Sequence, residues 1–269
     1  MRILNKSIAF IRRDFQVETS YKLNFLLEGI NSLLPIVLFY FLDVLIDPSA
    51  ESLQKYGGNY FFFVLIGVAF ARYFQLALGT FSGSIQRAQV TGCLEAMLST
   101  QTSPQACILM SSLYSLLYSF IQMVLMFLIG WAFFGFDFSQ TRFFPTFVVF
   151  VMSVLTFMGF GIISAAGIVV LKKGDPLGWL ITTGSALLGG AYFPIEVMPT
   201  WLQVCAKAIP ATYSLDALRL TILKGYPLGM ISEQVLVLVV MAILLLPISL
   251  GLFRIAVWKA KKGGSLVLY

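Results

Sequence analysis

Histidine is absent from this chain, cysteine occurs three times, and only 11% of the residues are charged. Each shortage excludes something. Without histidine the commonest general base and metal ligand is missing. Cys93, Cys107 and Cys205 have no Cys-x-x-Cys spacing, so they indicate neither a zinc site nor a disulfide framework. The dipeptide Gly-Lys never occurs, so the phosphate cradle Gly-x-x-x-x-Gly-Lys-Ser/Thr is absent and any ATP hydrolysis belongs to another chain. A soluble domain carries about 25% charged residues. Here 59% are hydrophobic and the mean hydropathy is +0.90, so the chain lives in lipid. Its 269 residues are too few for a membrane domain plus a nucleotide-binding domain of ordinary size. A membrane enzyme would need convergent nucleophile, base or metal ligands. Most of the carboxylates fall in loops instead, and Asp216 and Arg219, three apart, read as an ion pair or cap. The net charge of +6 fits anchoring at an anionic cytoplasmic leaflet better than binding nucleic acid.

Residues 1–24 place Leu4, Ile8, Ile11 and Phe15 at helical spacing with Arg2, Lys6, Arg12 and Arg13 elsewhere on the wheel. This predicts an amphipathic helix in the inner interface. Six apolar runs follow, about 25–46, 60–85, 108–134, 143–171, 177–193 and 235–258. Each reaches the roughly 17–25 residues that a crossing helix needs. No cleavable signal peptide is evident, because the first run is too long for one. Lysine and arginine concentrate in the N-terminal arm, in the second-to-third and fourth-to-fifth loops and at the C-terminal end, which predicts that both termini are cytoplasmic. Lys55, Arg142, Lys207, Arg219 and Lys224 then fall outside. Trp131, Phe133, Phe134, Phe136, Phe138, Phe143 and Phe144 bracket one outer turn as an interfacial belt would.

Between the last two runs lies Gly189–Arg219, too polar and proline-rich to span by itself. Pro194, Pro199 and Pro210 break it, because proline lacks a backbone donor and marks a break or a helix start. After Pro199, Trp201, Leu202, Cys205 and Ile209 share one side; after a candidate N-cap at Ser214, Leu215, Leu218 and Ile222 form a stripe with Arg219 beside it. Two half-length helices between full spans predict a re-entrant hairpin over 194–232, or a plug at the surface. Arg72 lies deep in the second run. It is a pathway or gate residue, or it snorkels inward toward Glu28. Asp43, near the outer end of the first run, reads as merely interfacial. Gly178, Gly184, Ser185, Ala186, Gly189 and Gly190 make the fifth run suited either to close helix approach or to flexibility. In the loop at 86–106, Leu94, Met97 and Leu98 edge a short helix bearing Glu95, with Ser103-Pro104 opening the next helix.

Gly-Ala-Tyr-Phe-Pro at 190, Pro-Thr-Trp-Leu at 199, Pro-Ala-Thr-Tyr at 210 and Ala-Leu-Arg at 217 follow in an order and spacing that resemble the C-terminal signature of type-2 ABC transporter permeases. Gly92, Leu94, Glu95, Met97 and Leu98 resemble that family's coupling-helix pattern Gly-Thr-Leu-Glu-x-Leu-Leu-x-Thr-Pro, with Cys93 for threonine, Met97 for leucine and the proline delayed to Pro104. The resemblance implies an all-α membrane protein: six transmembrane helices, an N-terminal interfacial helix (1–24), a permease domain (25–269) and a re-entrant hairpin before the last span. It implies a multi-pass subunit of an exporter in the plasma (inner) membrane. Separate cytosolic ABC ATPase subunits would hold the ATP and magnesium, with no cofactor in this chain. A second permease subunit, identical or different, would pair near the first and fifth spans. The coupling residues would be Gly92, Leu94, Glu95, Met97 and Leu98. The outer gate would be Phe193, Pro194, Pro199, Trp201, Pro210, Tyr213, Asp216 and Arg219. The apolar walls suit an amphipathic drug, a lipid or a lipid-linked glycan. The competing reading is a secondary transporter driven by an ion gradient, which needs carboxylates at the midplane; Glu28 and Asp43 are not well placed for that.

Overall fold

Helix capping sets the frame. In the computed structural model, which describes residues 12, 15–16, 22–45, 51–90, 104–171 and 175–262, every element is helical. Helix α1 (Lys22–Asp43) and the single turn α2 (Glu51–Gln54) lead into α3 (Tyr60–Val90). The first amides of α3 lack intrahelical partners. Asn59 Oδ1 accepts from Phe62 N at 2.9 Å and Asp43 Oδ1 from Phe61 N at 2.8 Å. Asp43 is therefore a cap that ties α1 to α3, more than the interfacial residue its position suggested. Helices α4 (Pro104–Phe134) and α5 (Phe143–Leu171) follow. Helix α6 (Pro176–Leu188) has proline in its first turn and Asp175 as its cap, accepting from Gly178 N at 2.7 Å while the Ser164 hydroxyl of α5 also donates to it. Helices α7 (Thr200–Lys207), α8 (Pro210–Leu223) and α9 (Ser232–Lys262) complete the chain.

Among the described residues, four stretches are long and apolar enough to cross a membrane: Tyr60–Gln86, Ser112–Phe134, Phe143–Val170 and Leu228–Lys262. The apolar stretches Leu34–Asp43 of α1 and Gly178–Leu188 of α6 are shorter. The fifth run, expected to be helical over 177–193, ends as helix at Leu188; its 13 residues cover about 20 Å, against about 30 Å of bilayer core. Gly190, at φ 75°, turns the chain away.

Helix α5 is the centre of the bundle, with α9 along one side and α3 along another. Two glycines permit both approaches. A Cβ at Gly159 would stand 2.9 Å from Leu245 Cβ on α9, and one at Gly161 would stand 2.7 Å from the Leu78 carbonyl oxygen on α3. Phe74 and Phe157 stack between α3 and α5, centroids 4.7 Å apart and planes 8° from parallel. Of the expected aromatic belt, Trp131, Phe133, Phe143 and Phe144 are exposed. Phe136 instead turns inward onto Phe62, Phe127 and Phe138.

From the N-terminal helix expected over 1–24, only Arg12, Phe15 and Gln16 are described ahead of Lys22, and Phe15 meets Tyr114 edge-on. The coupling residues Gly92, Leu94, Glu95, Met97 and Leu98, and the cap Ser103, lie outside the described residues.

Candidate functional site

The segment after α6 gathers the polar chemistry of one end of the bundle, here called the crown. Pro194 is buried and precedes a tight 3-10 turn at Ile195–Val197; Pro199 is exposed and immediately precedes α7. On α7 Ala206 is buried; of Trp201, Leu202, Cys205 and Ile209, expected to share one side, Trp201 and Cys205 are exposed and Leu202 and Ile209 half-buried. Phe193 is exposed and Tyr213 half-buried. Pro210 starts α8, so the helix begins before Ser214; that serine is not the cap but an internal residue whose buried hydroxyl has no partner among the described residues.

Helix α8 is buried on nearly every side. The expected stripe of Leu215, Leu218 and Ile222 is inside, and so are Ala211, Ala217 and Leu220. Its buried polar side chains, Thr212, Ser214, Arg219 and Thr221, share that interior with the apolar ones. Its C-terminal carbonyls are taken up by the turn between α4 and α5: Arg142 N donates to Thr221 O at 3.1 Å and Thr141 Oγ1 to Ile222 O at 3.0 Å. Gly225, at φ 63°, follows; a Cβ there would lie 2.5 Å from Gln140 O.

The ion pair expected between Asp216 and Arg219 does not form. Arg219 is 2% exposed and uses backbone. Its Nε donates to Phe63 O and its Nη2 to Ala191 O, each at 3.0 Å. The guanidinium carbon sits 3.4 Å from the Phe63 ring centroid and 5.8 Å from that of Tyr56. Asp216 accepts from Lys55 Nζ at 2.7 Å, Tyr56 Oη at 2.6 Å and Gln234 Nε2 at 2.8 Å. Burial alone pushes the Asp216 carboxyl upward, but the hydrogen bonds from Lys55, Tyr56 and Gln234 outweigh it and hold the group below the usual carboxylate range. For Lys55, burial opposes the charge and Asp216 more than offsets it, so the ammonium is raised above its ordinary value. Lys55 also lies 3.7 Å from Glu196, a contact in which both side chains are about half exposed and screened by solvent. Together these contacts join four separate stretches: the turn at 55–56, α3, the turn at 191 and α9.

Arg72 is half-buried, and its Nη1 donates to Asn31 O on α1 at 3.1 Å. Lys55, Tyr56, Gln234, Gly67 and Ala191 were not singled out in the sequence. Backbone carbonyls carry no residue signature, and only Lys55, a cation expected on the same side as Asp216, gave any hint.

No curated protein matches the chain. A family model described as ABC-2 type transporter matches residues 8–223, from the N-terminal arm through the end of α8. A match over most of the chain, on a bundle of apolar helices that includes four of crossing length, makes this multi-pass membrane protein a member of the ABC-2 type transporter family, the type-2 ABC permeases.

Proposed function

We propose that the chain is the permease half of an ATP-driven exporter, with α7–α8 forming an outer gate. One observation carries the gate: the turn after α6 lies against Gly67, seven residues into α3 and so about 10 Å along that helix from its start. Backbone that leaves a helix at such depth persists only where protein or water covers it, and here α3 and α8 cover it. In this reading α1 and α6 complete a set of six crossings, and 194–232 is a re-entrant hairpin. Both termini are cytoplasmic. A cysteine placed at Lys207 is then labelled from outside and one at Gln101 is spared; the reverse pattern refutes the orientation.

Two such subunits, alike or different, work with two cytosolic ATPase chains that hold ATP and magnesium. Closure of the ATPases pushes on the segment at 86–106 and on the N-terminal segment, and the paired bundles open outward. The cargo is an amphipathic drug, a lipid or a lipid-linked glycan. The test reconstitutes the chain with its ATPase and compares export powered by ATP with export powered by a proton or sodium gradient. Export that follows the ion gradient and ignores ATP favours the secondary-transporter reading and rejects this one.

A further inference from the structure

Glycine inside a helix costs about 1 kcal/mol relative to alanine, so Gly67, within the second apolar run, calls for a local reason. A Cβ there would overlap the Ala191 carbonyl oxygen and Arg219 Nη2, and would stand 3.0 Å from the Ala191 carbonyl carbon. On the same helix Gly79 and Gly83 have nothing within 4 Å of such a Cβ. The obstruction at Gly67 is largely backbone, which cannot swing aside as the end of a side chain can.

The contacts on either side of Gly67 run in register. Tyr60 Oη donates to Tyr192 O at 3.2 Å. Phe63 gives its carbonyl and its ring face to Arg219. Tyr60, Phe63 and Gly67 are spaced three and four apart, one stripe of a helix. The turn at 191–192 and the Arg219 guanidinium are layered on that stripe, with Arg219 clamped between α3 and the turn through the two carbonyls.

We infer that Gly67 is the seat on which the segment between α6 and α8 docks, and that Arg219 is the latch that holds it there. This goes beyond the gate reading and rests on it, because the seat is what the gate leaves when it opens. The chemistry suits a contact that is broken and remade. Carbonyl oxygens and a ring face hold the guanidinium with no carboxylate bonded to it, so water entering as the surfaces part has only the guanidinium and the carbonyls to solvate. The absent Cβ allows the turn to return to the same place.

Hydrogen exchange in the complex with its ATPase tests this. We expect Gly67→Ala to accumulate in the membrane and to exchange about tenfold faster in peptides covering 189–194 and 210–223, as a local opening made easier by about 1.4 kcal/mol requires. Exchange over 143–171 stays as in the wild type, and Gly79→Ala changes neither region. Wild-type exchange at 189–194 in Gly67→Ala overturns the seat. Should Gly67→Ala fail to accumulate, Arg219→Lys decides. It leaves α3 intact but loses the planar fork, and unchanged exchange in that variant equally overturns the proposal. Faster exchange with unaltered substrate-stimulated ATP turnover upholds the seat and contradicts the gate. Unaltered exchange with altered turnover does the opposite.

Discussion

Arg219 and Asp216 stand one turn apart on α8 and face different partners: the arginine reaches the carbonyls of Phe63 and Ala191, the aspartate Lys55, Tyr56 and Gln234. One short helix thus pins the loop before α3, α3 itself, the turn after α6 and the start of α9. The arginine does so from within and the aspartate from the crown's edge.

The two ends of the Asp216–Lys55 contact are unequal. Asp216→Ala strands the Tyr56 hydroxyl and the Gln234 amide, and we expect it to cost about 1–3 kcal/mol. Lys55→Met removes a half-exposed cation and should cost less than about 1 kcal/mol. Thermal melting of the purified protein ranks them, and equal losses would show that Lys55 carries the contact.

Acid should loosen the crown. The Asp216 carboxyl is held below its ordinary 3.8, so its contribution is complete above that value and is lost as pH falls through the lower folded-state value. Lys55 is raised above its ordinary 10.5, so its contribution is complete below that value and lost only as pH climbs through the higher one. Melting temperature is therefore flat, as far as this pair governs it, between these limits and drops below pH 3.8. Asp216→Asn, which cannot titrate, lowers the plateau and shrinks the acid drop. An unchanged acid drop in that variant assigns the effect to another group.

The glycines around α5 are not equivalent. Gly161→Ala forces a Cβ toward Leu78 O, where steric overfilling costs about 1–3 kcal/mol. Gly79→Ala meets nothing and gains up to about 1 kcal/mol of helix propensity. Melting temperatures that move in the same direction would refute this assignment.

Much of this architecture was legible in the sequence, and the missing parts share a cause. The apolar runs located the long helices because burial in lipid demands length and composition. Pro194, Pro199 and Pro210 located the breaks because proline acts through its own backbone. Arg219 was legible as a residue needing a partner, but its partners are two carbonyls and a ring supplied by residues far away in the chain. Phe136 read as interfacial, yet tertiary packing turned it inward. Ser214 read as a cap, and Pro210 pre-empted it by starting the helix four residues earlier. Gly67 is one of 22 glycines, and what distinguishes it is the approach of Ala191 and Arg219, distant in sequence.

The proposed coupling role of segment 86–106 is motivated by its sequence alone, in which Leu94, Met97 and Leu98 accompany the single acid Glu95. Leu98→Asp and Glu95→Ala should leave membrane insertion normal while export falls at least roughly tenfold, as loss of a hot-spot contact does. Normal export by Leu98→Asp at normal expression removes the docking role.

The proposed gate can be tested by holding that contact shut. Tyr60 Oη and Tyr192 O are 3.2 Å apart across the seat. With the native cysteines replaced, cysteines at 60 and 192 can be joined by a short bifunctional thiol reagent in proteoliposomes containing the ATPase. Export of a hydrophobic dye is then followed with and without ATP. The account predicts that the cross-linked protein still binds its ATPase but exports nothing, and that cleaving the linker restores ATP-driven export. Undiminished ATP-driven export with the cross-link fully formed would contradict it.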